Sequence, residues 1–287
     1  MKIDVIEEVA EGRAHVSWSS VKSTYKEESL IIYVFRDAMK FDDVPALTWD
    51  WKPVSKKSPW YTNEVFDGVR LPASAEELQV IADLTGCMML TPKVIDLIWL
   101  QAQLKFDPVL NTARYPGAPS TQRTIVAESH LHVVHQEIEK KITDLGGDQG
   151  QLIASVGKYW CLINRLSNLM GLRFGVRQAC NYGWPSSDGR YSGVTPGIKC
   201  WQEPGYRHDH FHWDPSQTIR LMYRRAKLIH ADGRREWVDL HDIASSRYAG
   251  LIHHETNELT YLRQRCVPKP EESMALSIYA PDIDLAA

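Results

Sequence analysis

The strongest secondary-structure signal in the chain is the run Ser29-Leu30-Ile31-Ile32-Tyr33-Val34-Phe35. β-branched and aromatic residues make up most of it, which is typical of a β-strand. Upstream, Ala14-His15-Val16-Ser17-Trp18 alternates between apolar and polar residues and predicts another strand. We therefore expect a β-rich N-terminal region over residues 1–70.

A helical section is predicted after residue 70. Ser74-Ala75-Glu76-Glu77 has the spacing of a capping box, in which the Ser74 hydroxyl accepts from the Glu77 N–H and the Glu77 side chain reaches back. A second helix is predicted to begin at Thr91-Pro92, because proline suits the first helical position. A third is predicted from about residue 128 to residue 145, where apolar residues recur at helical spacing.

The last part of the chain is predicted to be mixed and mostly antiparallel β. Residues 177–182 and 219–229 have the composition of strands, and residues 159–166 are ambiguous between helix and strand. Ala231-Asp232-Gly233-Arg234 signals a hairpin turn, and residues 276–279 suggest a last strand. These patterns predict an α+β fold, with residues 1–70 as a β-rich region and residues 71–287 as an α+β domain, packed as one compact unit.

The composition excludes several classes of protein. The chain has 287 residues, 44% of them hydrophobic and 24% charged, which is globular rather than disordered composition. A formal net charge of −3 argues against a globally basic nucleic-acid-binding protein. No apolar run approaches the roughly 20 residues of a membrane span. Acidic residues interrupt the N-terminus too early for a signal peptide, so we expect folding in the cytoplasm and no membrane partner.

Common sequence signatures of enzymes give little guidance. The chain has no phosphate-binding Gly-rich loop, no dinucleotide fingerprint and no G-x-S-x-G elbow. Its five cysteines are an odd number without C-x-x-C spacing, which favours buried thiols over disulfides or a Cys-only zinc site. Arg220, Arg224 and Arg225 form a modest basic cluster that we interpret as a solvated strand face.

The segment with the most chemical potential spans residues 206–217 and contains three alternating histidines. If it is extended, His208, His210 and His212 share one face and Asp214 continues it. Imidazoles and a carboxylate are the ligands that zinc prefers, and three protein ligands plus a water are the usual catalytic arrangement. The sequence therefore predicts a metal site at these four residues, with His208 and Asp214 as catalytic base and orienting acid.

Other interpretations of the histidines stay open. Residues 208–212 are also consistent with polar recognition without a metal, or with structural hydrogen bonds on one strand. A second histidine group, His130, His132 and His135, lies on the predicted third helix. Histidines three apart can chelate a metal, but a solvated helix face is the commoner explanation. The sequence does not show whether the two groups converge.

A cysteine-dependent site is a further alternative. Cys180 could act as a nucleophile, with a histidine of the 208–212 segment as base and Asp214 orienting it. A structural cysteine is the simpler reading. Aromatic side chains are expected to line the cleft and bind substrate, namely Tyr182, Trp184, Trp201 and Trp213.

Three stretches carry a resemblance to a loosely defined group of bacterial and phage-encoded proteins. They are the Thr91-Pro92-Lys93-Val94-Ile95-Asp96 start of a helix, the strand Tyr182-Gly183-Trp184, and Asp214-Pro215-Ser216 ahead of Arg220-Leu221. The similarity covers about residues 68–225, and Pro185 stands where members of the group commonly have histidine. His210-x-His212 is also similar to the H-x-H of zinc peptidases that cut peptidoglycan cross-bridges, although their upstream histidine and aspartate are not recognisable here.

Together these observations predict a hydrolase, metal-dependent with zinc as cofactor, acting on a polar polymer such as bacterial cell-wall peptidoglycan. The resemblance implies a phage lysis or tail-associated setting. The first alternative is a non-enzymatic phage structural or binding protein. The second is a cysteine-dependent enzyme that uses Cys180.

Overall fold

The computed structural model describes residues 3–48, 51–58, 61–109, 130–148, 150–164, 178–206, 208–212, 216–254, 262–263, 267–270 and 275–283. Its helices are α1 (Val5–Ala10), α2 (Ala75–Leu84), α3 (Pro92–Gln101), α4 (Leu131–Asp144) and α5 (Leu240–Ala244), with short 3-10 helices at Ala249–Leu251 and Ser277–Tyr279. The predicted strand at residues 276–279 was therefore wrong. No helix in the described ranges has the length and apolarity needed to cross a membrane.

The strands confirm an α+β fold with β-structure predominating. They are β1 (Ala14–His15), β2 (Trp18–Tyr25), β3 (Glu28–Phe35), β4 (Lys40–Phe41), β5 (Val44–Pro45), β6 (Val65–Phe66), β7 (Val69–Arg70), β8 (Cys87–Met89), β9 (Lys158–Cys161), β10 (Cys180–Pro185), β11 (Tyr191–Ser192), β12 (Lys199–Gly205), β13 (Leu221–Tyr223), β14 (Arg225–Ile229) and β15 (Arg235–Asp239). All pairings between these strands are antiparallel.

The predicted strand at residues 29–35 lies at the centre of a six-stranded sheet. β3 pairs with β2 along its whole length, and across its other edge with β14 near its start and β13 near its end. Leu30, Ile32 and Val34 alternate into the core and are fully buried. The predicted hairpin is confirmed, with β14 and β15 joined through residues 230–234. Strands from residues 1–70 and from residues 71–287 thus share one sheet.

A second, four-stranded sheet with the order β11-β12-β10-β9 carries most of the candidate residues. The ambiguous segment after residue 158 is a strand there, and the strand predicted at residues 177–182 occupies Cys180–Pro185. Two smaller sheets, β1-β4-β7 and β5-β6, complete the β-structure of the described ranges.

The helix starts follow the predicted capping chemistry. Ser74 Oγ accepts from the Glu77 N–H at 3.2 Å, and the Ser74 N–H donates to Glu77 Oε2 at 2.8 Å, which makes a complete capping box for α2. Thr91 caps α3 by accepting from the Val94 N–H at 3.3 Å, with Pro92 at the first helical position. The third predicted helix is α4, which begins at Leu131.

Arg220 is fully buried, so the prediction that it belongs to a solvated basic face was wrong. Its guanidinium donates to the carbonyl oxygens of Phe35, Ile153 and Arg36, each at 2.8 Å, and to the Tyr159 hydroxyl at 3.3 Å. A guanidinium is tolerated inside a core when its donors find acceptors. Arg220 therefore joins the end of β3 to β9 and to Ile153, which precedes β9 in the chain.

Candidate functional site

The histidine segment forms a turn, so the predicted extended conformation was wrong over residues 208–212. The His212 N–H donates to the Asp209 carbonyl at 3.2 Å, and the Phe211 N–H donates to Asp209 Oδ1 at 3.1 Å. An aspartate that accepts from the backbone two residues on favours a turn over a strand. The predicted site required an extended segment, in which the three histidines share one face. Residues 208–212 are not extended, so this alignment is absent.

The turn pairs two of the histidines and separates the third. The His208 and His212 rings stack with centroids 3.8 Å apart and planes 9° apart, and both are half-buried. The Trp160 ring meets both rings edge-on at 6.3 and 6.4 Å, and its indole N–H donates to the Ala73 carbonyl at 2.9 Å. Trp160 thereby fixes the wall against which the two imidazoles lie.

His210 points to helix α2 instead. Its ring is buried, with Nε2 3.6 Å from Glu76 Oε2, and its carbonyl accepts from the Glu76 N–H at 3.1 Å. Within the described ranges, no three His, Cys, Asp or Glu side chains come together as a metal site. Asp214 and Trp213, which were predicted as a ligand and a cleft residue, lie outside the described residues.

Cys180 lies in the interior of the four-stranded sheet. It is fully buried opposite Cys161 on β9, with the two sulfur atoms 3.5 Å apart, and burial raises the pKa of the Cys161 thiol. The described hydrogen-bonding partners of its sulfur are Cys161 and the Asn181 carbonyl, neither of which can act as a base. A buried thiol without a histidine among these partners is unsuited to nucleophilic attack on a polymer.

The predicted aromatic residues occupy three different environments. Tyr182 is fully buried, and its hydroxyl donates to Asp96 Oδ1 at 2.5 Å. Trp184 is nearly buried, with Lys158 Nζ 5.4 Å from its ring centroid. Trp201 is half-buried and carries the Arg190 guanidinium at 4.9 Å. None of these three rings lines the cavity at the start of α3.

The histidines of α4 are buried rather than solvated, which corrects the simplest expectation for them. His132 stacks on Phe66 of β6 with ring centroids 5.0 Å apart, and His135 Nδ1 accepts from the Arg70 guanidinium at 3.2 Å. Both contacts attach α4 to the strands that precede it. None of the described contacts of His132 or His135 involves residues 208–212.

A cavity of about 550 Å³ lies between the start of α3, the ends of β9 and β12, and the chain that follows the 3-10 helix Ala249–Leu251. Its lining combines apolar side chains with five titratable ones, and consists of Pro92, Lys93, Leu162, Ile163, Val194, Glu203, Pro204, Tyr206, His253 and His254. A concave, largely apolar site with a few polar groups is the usual form of a ligand site. The sequence interpretation did not select Lys93, His253 or His254 as site residues.

The pKa values of Lys93, His253 and His254 in this cavity are lowered, which favours their neutral forms. Burial lowers the pKa of Lys93, whose ammonium donates to the Gly250 carbonyl at 2.6 Å. Burial, aided by the charges of Lys93 and His254, lowers the pKa of His253 to about 4. Burial and the charge of Lys93 also lower the pKa of His254. Both imidazoles are therefore neutral near pH 7. Perturbed groups in a cleft are characteristic of functional sites.

A hydrogen-bonded chain connects the exposed His254 ring to the interior. Its Nε2 lies 2.8 Å from Thr195 Oγ1, and the Thr195 N–H donates to Asp96 Oδ2 at 2.7 Å. Asp96 is fully buried on α3, and burial raises its pKa although hydrogen bonds from Tyr182 and Thr195 lower it. The chain orients His254 and leaves ring Nδ1 to accept a proton.

The stacked histidines contact β9, and the chain that follows β9 lines the cavity. Trp160, which contacts both stacked rings, belongs to β9, and Leu162, which lines the cavity, follows two residues later. Tyr206 also lines the cavity two residues before His208. The sequence signals that could have indicated this place are the adjacent His253-His254 pair and the Lys93 and Asp96 positions.

Comparison of the chain with protein-family models, with curated proteins and with solved structures returned no match.

Proposed function

We propose that this chain is a hydrolase that acts on a polar polymer such as bacterial cell-wall peptidoglycan, with its active site at the cavity beside His254. The observation that carries the proposal is the Asp96–Thr195–His254 chain, which ends in a solvent-accessible imidazole at a cavity. A histidine that acts as general base in hydrolysis must be unprotonated at the working pH and oriented towards the attacking water. His254 meets both requirements, because its pKa is lowered and its Nε2 is held by Thr195.

In this mechanism His254 removes a proton from the water that attacks the scissile carbonyl, and later returns it to the leaving group. In the tautomer this step requires, the His254 Nε2–H donates to Thr195 Oγ1, so Nδ1 is unprotonated and takes up the proton from the water. Asp96 anchors the Thr195 backbone from the buried side. The residues with these roles are a catalytic base and two positioning residues.

Zinc remains part of the proposal through His208, His212 and Asp214. The described residues supply two half-buried imidazoles, one fewer than the three protein ligands of catalytic zinc sites, and the parallel stack would have to open for both to meet one ion. A bound zinc would supply an activated water at neutral pH. The steps assigned to His254, Thr195 and Asp96 do not require the ion.

The test is the release of soluble fragments from purified peptidoglycan, with the products identified by mass spectrometry. We expect the wild-type protein to release fragments, and His254→Gln, which keeps a side-chain hydrogen-bonding group near Thr195, to lower the rate by about 100-fold or more. His15→Gln is the matched control, since His15 is an exposed histidine paired with Asp42. Absence of fragments with the wild-type protein, or full activity in His254→Gln, would overturn the proposal.

The metal part is tested separately by elemental analysis of the same purified proteins. Zinc bound to the wild-type protein and lost in His212→Ala, but kept in His15→Gln, supports ligation by the histidine segment. Wild-type protein that contains no zinc, and whose activity does not respond to added zinc or to a chelator, removes zinc from the proposal and leaves the role of His254 intact.

A further inference from the structure

Lys93 is a buried cation without an acidic partner among the described residues. Lys93 is only 9% exposed, and among the described residues its ammonium donates to one group, the Gly250 carbonyl. An ammonium has three N–H donors, so one carbonyl does not satisfy it. Burial of a charge is unfavourable unless the charge is paired, and the lowered pKa of Lys93 reflects that cost. The remaining donors therefore call for a further acceptor on the side of the cavity.

The rest of the lining defines what kind of acceptor fits. Leu162, Ile163 and Val194 provide apolar surface, and the two imidazoles are neutral near pH 7. Glu203, the acidic residue of the lining, forms no ion pair with Lys93 or with any other described residue. The cavity thus offers one cation, an apolar wall and one separate carboxylate. This combination favours a singly charged anion with an apolar body. A phosphate dianion is usually bound by several donors, and is therefore less favoured.

We infer that this cavity binds the carboxylate of a peptide or amino-acid ligand through Lys93, with the apolar part of the ligand against Leu162 and Val194. The inference rests on the proposed function only in naming the peptide carboxylates of the polymer as the natural ligand. It places the specificity of the site in the peptide part of the polymer, because an uncharged sugar chain offers no partner for Lys93.

The test uses two probes that differ in one charge, N-acetylalanine and N-acetylalanine amide. Binding is measured by NMR titration of the isotopically labelled full chain, and proton spectra of the same samples show that the probes stay intact. We expect the acid to bind at least about tenfold more tightly than the amide, since only the acid offers a carboxylate for a charge-assisted hydrogen bond with the Lys93 ammonium. Equal affinity of the two probes would overturn the inference without any variant being made.

Two lysine variants then locate the effect. Lys93→Met keeps the length and apolar stem of the side chain and should abolish the preference for the acid. Lys105→Met is the matched control, because Lys105 also donates to a backbone carbonyl, that of Leu100 at 3.0 Å, but does not line the cavity. Persistence of the preference in Lys93→Met would overturn the assignment, and the probe pair on the wild-type protein still tests the inference if this variant does not fold.

Inorganic phosphate is the third probe and separates the two sources of negative charge. If phosphate binds at a lower concentration than N-acetylalanine does and displaces it, the carboxylate assignment is contradicted. The binding test measures no turnover, so its outcome is independent of the hydrolase test. Selective binding of the acid without release of fragments would overturn the proposed hydrolase activity and support this inference. Release of fragments without selective binding of the acid would support the hydrolase activity and overturn this inference.

Discussion

At the residue scale, Arg220 shows how a charged side chain can hold a core together. It makes three hydrogen bonds to backbone carbonyls, those of Phe35 at the end of β3, of Arg36 and of Ile153, in addition to its contact with Tyr159. We expect Arg220→Met to lower the free energy of unfolding by about 3 kcal/mol or more, because two buried carbonyls and one partly buried carbonyl lose their donor. Denaturant unfolding followed by circular dichroism measures this.

Arg225→Met is the control for that experiment. Arg225 is the exposed first residue of β14, and its removal should change the free energy of unfolding by no more than about 0.5 kcal/mol. Similar losses in the two variants would mean that the four contacts of Arg220 contribute little to stability.

At the element scale, helix α4 is attached to β7 by a buried ionic network. Arg70 donates to both oxygens of Asp37, contacts Glu139 at 2.7 Å and donates to His135 Nδ1, while Lys40 adds a second cation. Although burial opposes it, the charges of Arg70 and Lys40 lower the pKa of Asp37 well below its usual range. Burial and the charge of Arg70 lower the pKa of His135 to about 4.

The His135 shift makes the stability of this attachment depend on pH. The ordinary histidine pKa is 6.5, so between pH 6.5 and about 4 the unfolded chain binds a proton that the folded chain does not. The stability is complete above pH 6.5 and falls as the pH drops towards 4, by up to about 3 kcal/mol from this group. We expect His135→Gln, which keeps an acceptor for Arg70, to flatten the pH dependence of urea unfolding over this range.

For the His135 measurement, His15→Gln should retain the wild-type slope, because His15 is exposed and lies in another ion pair, with Asp42. An unchanged slope in His135→Gln would show that another group, such as His253, controls the acid sensitivity.

At the scale of the whole molecule, the six-stranded sheet joins parts of the chain that are far apart in sequence. β3 pairs with β13 and β14 about two hundred residues later, so neither segment can open alone without breaking the sheet. We expect the backbone amides of β3, β13 and β14 to be the slowest to exchange with deuterium and to share one free energy of opening. The exposed edge strand β11 is the internal control and should exchange much faster. Separate opening free energies for residues 28–35 and residues 221–229 would contradict a single cooperative unit.

The candidate site was only partly predictable from the sequence. The Thr91-Pro92 start of α3 correctly located the helix that carries Lys93 and Asp96. The histidines at 208–212 were correctly recognised as a dense cluster, but their predicted alignment failed because Asp209 closes a turn. His253 and His254 escaped notice, since nothing in their immediate neighbours indicates that they meet α3.

The sequence by itself determined the local elements of this protein: the β3 strand, the capped starts of α2 and α3, and the β14–β15 hairpin. Their signals lie within a few residues, because strand composition, capping hydrogen bonds and turn conformations are short-range effects. Only the tertiary structure decided that Arg220 is buried, that His208 stacks on His212, and that His254 connects through Thr195 to Asp96. Such contacts join residues far apart in the chain, and packing of the whole core selects them from many alternatives that local sequence leaves equal.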